Sequence, residues 1–319
     1  MEGSIGKRLS RYVGTLPLFA AREFQKYWKR YRSNGGGNLK SAAAPYWLLL
    51  PRRLNSHFRN GKNQSRGGNS FLSDVLFGQY LLFLFIRIQD DLLDGQVECP
   101  SLVFVADQFL LEAGRLMAKH FPSHMTFWDG YRSALKATTL AILEVRENQT
   151  SSHTTSRRLL PLYKRVNAVL NVGSWAVCCR YQMAAQYKRV EKGTGHVAIG
   201  SQILDDFCDV ADDLNDSRFN YAAKALVCQS SLSGASPEKV KKVIVRNLVN
   251  TSKGLELLSE ARAHFIRGFA ALQGFRFKDF DAYRNVYLRS VDGMIQRLQG
   301  LRFEHAIMSG LLPARRRRK

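Results

Sequence analysis

From Phe71 onward the apolar residues of this chain recur with a helical period, and polar or Gly/Pro-rich stretches interrupt them. The pattern predicts helices over 71–94, 101–120, 124–147, 156–190, 196–214, 236–264 and 278–309. The breaks fall at Gly95 and Pro100, at Pro122, from Gln149 to His153, at Gly193 and Gly195, and at Gly234 with Pro237. No run of alternating residues reads as a strand. Long segments without a repeat period point to an all-α fold, one large helical bundle around a central cavity, and not to a solenoid.

The first seventy residues read differently. Over 16–32, Pro17 stands near a helix start, and Phe24, Tyr27, Trp28 and Tyr31 follow at i, i+3, i+4 and i+7 with Lys26, Lys29 and Arg30 among them. Such a basic amphipathic helix packs its aromatic stripe on the body, lies on a membrane surface or, as the weakest reading, meets nucleic acid. The expected organisation is a basic extension over 1–34, a helical domain over 35–312 and a basic tail over 313–319. Phe71 to Ile86, the most apolar stretch, is shorter than the ~18–20 residues of a membrane span and contains Asp74 and Gln79, so no transmembrane helix is expected. No apolar run followed by a small-residue cleavage site marks a secretory signal, whereas the basic, acid-poor residues 1–33 leave an organelle transit segment open. The expected location is cytoplasmic, with peripheral membrane contact as a further option.

Charge changes the picture. The 319 residues carry a formal net charge of +22, which calls for an anionic partner. Residues 1–70 hold 14 Lys and Arg against 2 acids, and Arg315 to Lys319 add five more bases, so the body between is nearly balanced. Nucleic acid is therefore the weaker candidate. Five cysteines without CxxC spacing give no disulfide framework or zinc site. His120 and His124 have zinc spacing, but Pro122 breaks the helix that would align them, so they read as structural.

The telling residues of the body are acidic. Gln89-Asp90-Asp91-Leu92-Leu93-Asp94 ends the first apolar helix, and Asp90 and Asp94 share one face at i, i+4. Like charges at that spacing cost roughly 0.2–0.5 kcal/mol per pair, so something cationic is expected there. The second cluster, Gln202-Ile203-Leu204-Asp205-Asp206-Phe207-Cys208-Asp209, continues through Asp212, Asp213 and Asp216. Asp205, Asp209, Asp212 and Asp216 form one ladder with Gln202 a turn upstream, and interleaved apolar residues pack the helix into the body. Both clusters read Asp-Asp-x-x-Asp at the end of an apolar helix, and carboxylate oxygens of this kind suit Mg²⁺ completed by water and phosphate oxygens. Facing each other across a bundle, they would hold a diphosphate through several ions.

These two segments resemble the paired aspartate-rich motifs of class I isoprenoid synthases, in particular the polyprenyl diphosphate synthase branch. The resemblance covers roughly residues 35–225. It implies a helical isoprenoid synthase fold in which Asp90, Asp91 and Asp94 hold two Mg²⁺, and Asp205, with Asp209 and the adjacent Asp206, a third. The substrate it implies is an allylic prenyl diphosphate, ionised as its diphosphate leaves. Lys164 and Arg218 stand roughly where the family carries diphosphate-binding bases, Gln202 belongs to the second motif, and Arg87 either joins them or neutralises the aspartates beside it.

The departures matter as much. The family seats a second substrate, isopentenyl diphosphate, on an N-terminal Gly-Lys-x-x-Arg segment and on an Arg pair after the first motif. Here Gly95-Gln96-Val97-Glu98-Cys99-Pro100 follows, without arginine, and only Lys40, Arg52 and Arg53 offer substitutes. That shifts the expectation from chain elongation to a terpene-synthase-like enzyme that cyclises or quenches the cation, with polyprenyl synthesis as the alternative and a non-catalytic membrane-associated relative as a third reading. Tyr80, Phe83, Phe85, Trp175 and Tyr181 are candidates to line an apolar cation pocket, or ordinary core. A homodimer is left open.

Overall fold

In a computed structural model, residues 2–33, 45–60, 68–150, 156–210, 213, 220–226, 237–275, 277 and 280–308 are described. Of these, 89% are helical and none is strand, so the all-α expectation holds. The helices are α1 (Glu2–Val13), α2 (Leu18–Ser33), α3 (Tyr46–Asn60), α4 (Gly68–Leu93), α5 (Leu102–Ala118), α6 (Met125–Thr150), α7 (Ser156–Val166), α8 (Val172–Arg180), α9 (Ala184–Cys208), α10 (Tyr221–Leu226), α11 (Pro237–Asn250), α12 (Lys253–Leu272) and α13 (Phe280–Met308). The chain divides into two compact units. One comprises 1–142, 165–194 and 273–278, and the other 143–164, 195–272 and 279–319.

In the first unit α4 is the central element and packs against α1, α3, α5 and α8. Its Val75, Leu81, Leu82, Leu84 and Ile88 are fully buried, as are Ala106, Phe109, Ala113 and Leu116 of α5. Among the described residues, α4 is the one helix long and apolar enough to cross a membrane, but 72% of its most apolar window is buried inside the protein. Its two polar interruptions have local explanations. Gln79 donates to the Val169 carbonyl at 3.1 Å and accepts the Gly173 N–H at 2.6 Å. Asp74 pairs with Arg8 of α1 and with His120, at 3.0 Å for the latter. His120 and His124 are structural as expected, His124 accepting the Phe127 N–H at 3.1 Å.

The basic N-terminal segment packs within this unit. Ile5, Leu9 and Val13 of α1 and Ala21, Phe24 and Tyr27 of α2 are buried. The aromatic stripe of α2 faces inward: Phe24 meets Phe109 edge-on at 5.0 Å, and Trp28 lies edge-on to Tyr80.

Helix breaks differ from those the sequence predicts at four places. The expected helix over 156–190 is broken by a 3-10 turn at Ala168–Asn171, held by Thr138, whose hydroxyl accepts the Val169 N–H and donates to the Arg165 carbonyl. It breaks again after α8, where Gln182 adopts φ 58° and the Met183 N–H returns to the Cys178 carbonyl at 2.7 Å. Gly193 and Gly195, expected as a break, lie inside α9. A Cβ on Gly195 would meet the Lys164 Cγ at 2.9 Å, so the glycine is a seat for a side chain and not a turn. The segment 236–264 splits at residues 251–252 into α11 and α12.

In the second unit α12 packs on α11 and α13. Ile203 of α9, Leu258, Ala261 and Phe265 of α12 and Val291 of α13 are fully buried.

Candidate functional site

The first aspartate motif occupies the last turn and the stop signal of α4. Gly95 has φ 67°, the Gln96 N–H bonds the Asp91 carbonyl at 2.9 Å, and the Gly95 N–H bonds the Leu92 carbonyl at 3.3 Å. This is a left-handed glycine cap, and it ends the helix right after Asp94. Carboxylates at a helix C-terminus oppose the negative end of the helix dipole, which favours a cation there.

The three aspartates are not equivalent. Asp91 is 4% exposed and doubly engaged. Arg87 grips one of its oxygens at 2.6 Å, and the Tyr27 hydroxyl donates to the other at 2.8 Å. Asp90 is half-buried, 3.6 Å from Arg87, and Asp94 is exposed. Burial, reinforced by Asp94, pushes the Asp90 carboxyl up to about 6 against the pull of Arg87. Burial works against charge on Arg87, but Asp91 and Asp90 outweigh it and hold the guanidinium charged. The Arg87 Nε is buried without a hydrogen-bond partner among the described residues.

The second motif lies at the end of α9, where helical hydrogen bonds continue past it with no left-handed cap among the described residues. The Asp209 N–H bonds the Asp205 carbonyl at 2.9 Å, and the Asp213 N–H bonds that of Asp209 at 2.8 Å. Asp206 is 6% exposed. Gln202 donates to its Oδ1 at 2.8 Å, while the Tyr163 hydroxyl and the Tyr221 N–H donate to its Oδ2 at 2.8 and 2.7 Å. Burial raises the Asp206 pKa, and these three donors pull against that rise. Asn220 completes the cradle: its amide donates to the Asp206 carbonyl at 2.6 Å and to Asp213 at 2.9 Å, and its oxygen accepts the Ala223 N–H as the N-cap of α10. Asp205 and Asp209 are exposed.

Each motif thus buries its middle aspartate against a tyrosine hydroxyl and a polar side chain one turn upstream, and leaves outward the two carboxylates at i, i+4. Gln202, expected at the diphosphate, gives its amide to Asp206. Lys164 is exposed, and its methylene stem lies over Gly195, about 15 Å along the α9 axis from Asp205 at 1.5 Å per residue. Arg218, Asp212, Asp216 and Lys40 lie outside the described residues. Of the aromatic candidates, Tyr80, Phe85 and Tyr181 are buried in the core of the first unit. Phe83 stacks on Trp47 at 4.8 Å, and the Trp175 indole donates to the Phe127 carbonyl. Sequence reasoning missed Tyr27, Tyr163 and Asn220, whose roles depend on partners distant along the chain or on a cap outside the motif.

Among the described residues no three His, Cys, Asp or Glu side chains form a cluster able to hold a metal unaided. Mg²⁺ needs only one or two carboxylates, with water and phosphate oxygens filling the remaining positions. The outward oxygen pairs at the negative ends of two helices fit that requirement.

No protein-family model matches the chain, and no curated protein matches it. Among solved structures, a polyprenyl synthase from Roseobacter denitrificans is similar in fold, with a TM-score of 0.57 and 14% identity over 79% of this chain and 85% of the other. The two chains share a helical fold.

Proposed function

We propose that the protein is a Mg²⁺-dependent isoprenoid synthase that ionises an allylic prenyl diphosphate and cyclises or quenches the cation. The observation that carries this reading is the repeated local construction: two Asp-Asp-x-x-Asp segments, each at a helix C-terminus, each with a clamped middle residue and an outward carboxylate pair. Asp90 with Asp94, and Asp205 with Asp209, are the proposed metal ligands. Bound Mg²⁺ would neutralise the diphosphate and ease its departure as a leaving group. Asp91 and Asp206 act as anchors that fix the helix ends, and Arg87 holds Asp91 in place.

A second reading, polyprenyl diphosphate synthesis, is favoured by the name of the structural neighbour and by Arg52 and half-buried Arg53 on α3. Incubation with C10, C15 and C20 allylic diphosphates and Mg²⁺, with and without isopentenyl diphosphate, separates the two. Hydrocarbons or alcohols formed without the acceptor support the first; longer diphosphates formed only with it support the second. A folded preparation that releases no diphosphate under either condition overturns both and leaves a non-catalytic relative.

A further inference from the structure

The inward turn of the aromatic stripe changes what α2 offers to its surroundings. With Ala21, Phe24 and Tyr27 buried, its outward face consists of Leu18, Arg22, Gln25 and Lys29 at helical spacing, flanked by Phe19, Lys26 and Arg30. Leu18 and Phe19 are 67% and 64% exposed, side by side at the start of the helix beside exposed Pro17. Lys7 and Arg11 are exposed on α1, which precedes them. Residues 1–33 contain eight Lys and Arg against two acids, and one of those acids, Glu23, accepts hydrogen bonds from Lys26 and Cys99. Further along the same helix a cleft of about 380 Å³ is lined by Gln25, Trp28, Lys29, Arg32 and Ser33.

We propose that the outward face of α2 docks on an anionic lipid bilayer, with Leu18 and Phe19 entering the acyl boundary and the bases of α1 and α2 on the headgroup phosphates. Two adjacent large apolar side chains at a helix start, set in a field of bases, match the division of a bilayer surface into apolar interior and charged rim. A second copy of the chain would bring this basic face against itself and be repelled. Nucleic acid would answer the charge but leave Leu18 and Phe19 without a role. The cleft beside Lys29 and Arg32 has the charge to take a lipid phosphate. The inference is independent of the chemistry at the aspartates.

Vesicle co-sedimentation of the full chain tests it, comparing phosphatidylcholine alone with phosphatidylcholine containing about 30% phosphatidylserine. Wild-type protein is expected to pellet with the anionic vesicles only, and to be released as NaCl rises from about 50 to about 500 mM. Leu18→Ser/Phe19→Ser should weaken binding at least about tenfold. Arg22→Glu/Lys29→Glu, altering only exposed positions, should weaken it by a similar factor and serves if the first variant fails to fold. Wild-type protein that stays in solution, that binds neutral vesicles equally, or whose binding survives both double substitutions overturns the proposal. A duplex oligonucleotide that binds wild type and Leu18→Ser/Phe19→Ser equally and strips wild type from the vesicles would assign the face to nucleic acid instead.

Discussion

The two aspartate motifs share a sequence pattern and a helix-end position, yet they hold their middle residue by different physics. Asp91 is balanced by charge: an arginine one turn upstream and one tyrosine hydroxyl from α2. Among the described residues, Asp206 is held by neutral donors, an amide, a hydroxyl and a backbone N–H, in a site where burial raises its pKa. A buried carboxylate can be satisfied either by an opposite charge or by enough hydrogen bonds, and the consequences of removing its charge differ accordingly. The outward pairs, Asp90 with Asp94 and Asp205 with Asp209, are alike in spacing, so the motifs diverge in their anchors and agree in what they present.

The largest expected effect separates presentation from anchoring. Asp90→Ala and Asp205→Ala should each lower Mg²⁺-dependent diphosphate release by about 10²–10³-fold or more, with melting temperatures close to wild type. Comparable melting losses in these variants would show that the outward carboxylates are structural. Next, Asp91→Asn should cost on the order of 2 kcal/mol in urea unfolding, because it leaves half-buried Arg87 without its closest counter-charge. Asp206→Asn keeps an acceptor for Tyr163 and Tyr221, and Gln202 can turn its amide, so about 1 kcal/mol is expected. Equal costs would erase the distinction between charge and hydrogen-bond anchoring.

Acid should separate the two helices carrying the motifs. His196 on α9 and His264 on α12 meet at 3.1 Å, and burial, with His196 and then Arg267 nearby, lowers the His264 pKa to about 4. The unfolded chain takes up a proton at His264 near pH 6.5, while the folded protein resists until about 4. Stability is therefore lost as pH falls through that window, by about 2–3 kcal/mol. Hydrogen exchange should rise in α9 and α12 before α4 on acidification, and His264→Gln should abolish the difference. The smallest effect is at the hydroxyls. Tyr27→Phe and Tyr163→Phe should each cost about 1–2 kcal/mol in urea unfolding, with Tyr163→Phe nearer the low end because two donors to Asp206 remain.

The sequence made the all-α class and both motifs legible, because helical periodicity and Asp-Asp-x-x-Asp are local signals. The bounds of α13 came within two residues, 278–309 expected against Phe280–Met308 observed. Where local signals conflict with tertiary contacts, the contacts won. Gln182 is a left-handed stop without glycine or proline, and the 3-10 turn at Ala168–Asn171 is bought by Thr138 and Gln79 from other helices. Gly195 looks like a breaker until Lys164 is laid over it. Pro51 sits inside α3, a helix the periodicity did not predict. Within the site, Tyr27 reaches Asp91 across 64 positions and Tyr163 reaches Asp206 across 43, separations at which no motif carries information.

The hydroxyl of Tyr27 ties the last turn of α4 to a segment unusually rich in lysine and arginine. Each of those bases is a cleavage site for trypsin, but cutting α2 requires its helix to open. Such an opening would break the Tyr27–Asp91 hydrogen bond and uncover the Phe24–Phe109 contact at the same moment. Under limiting protease, the rate at which α2 is clipped becomes a clock for the integrity of the first aspartate motif, readable on a gel without any substrate.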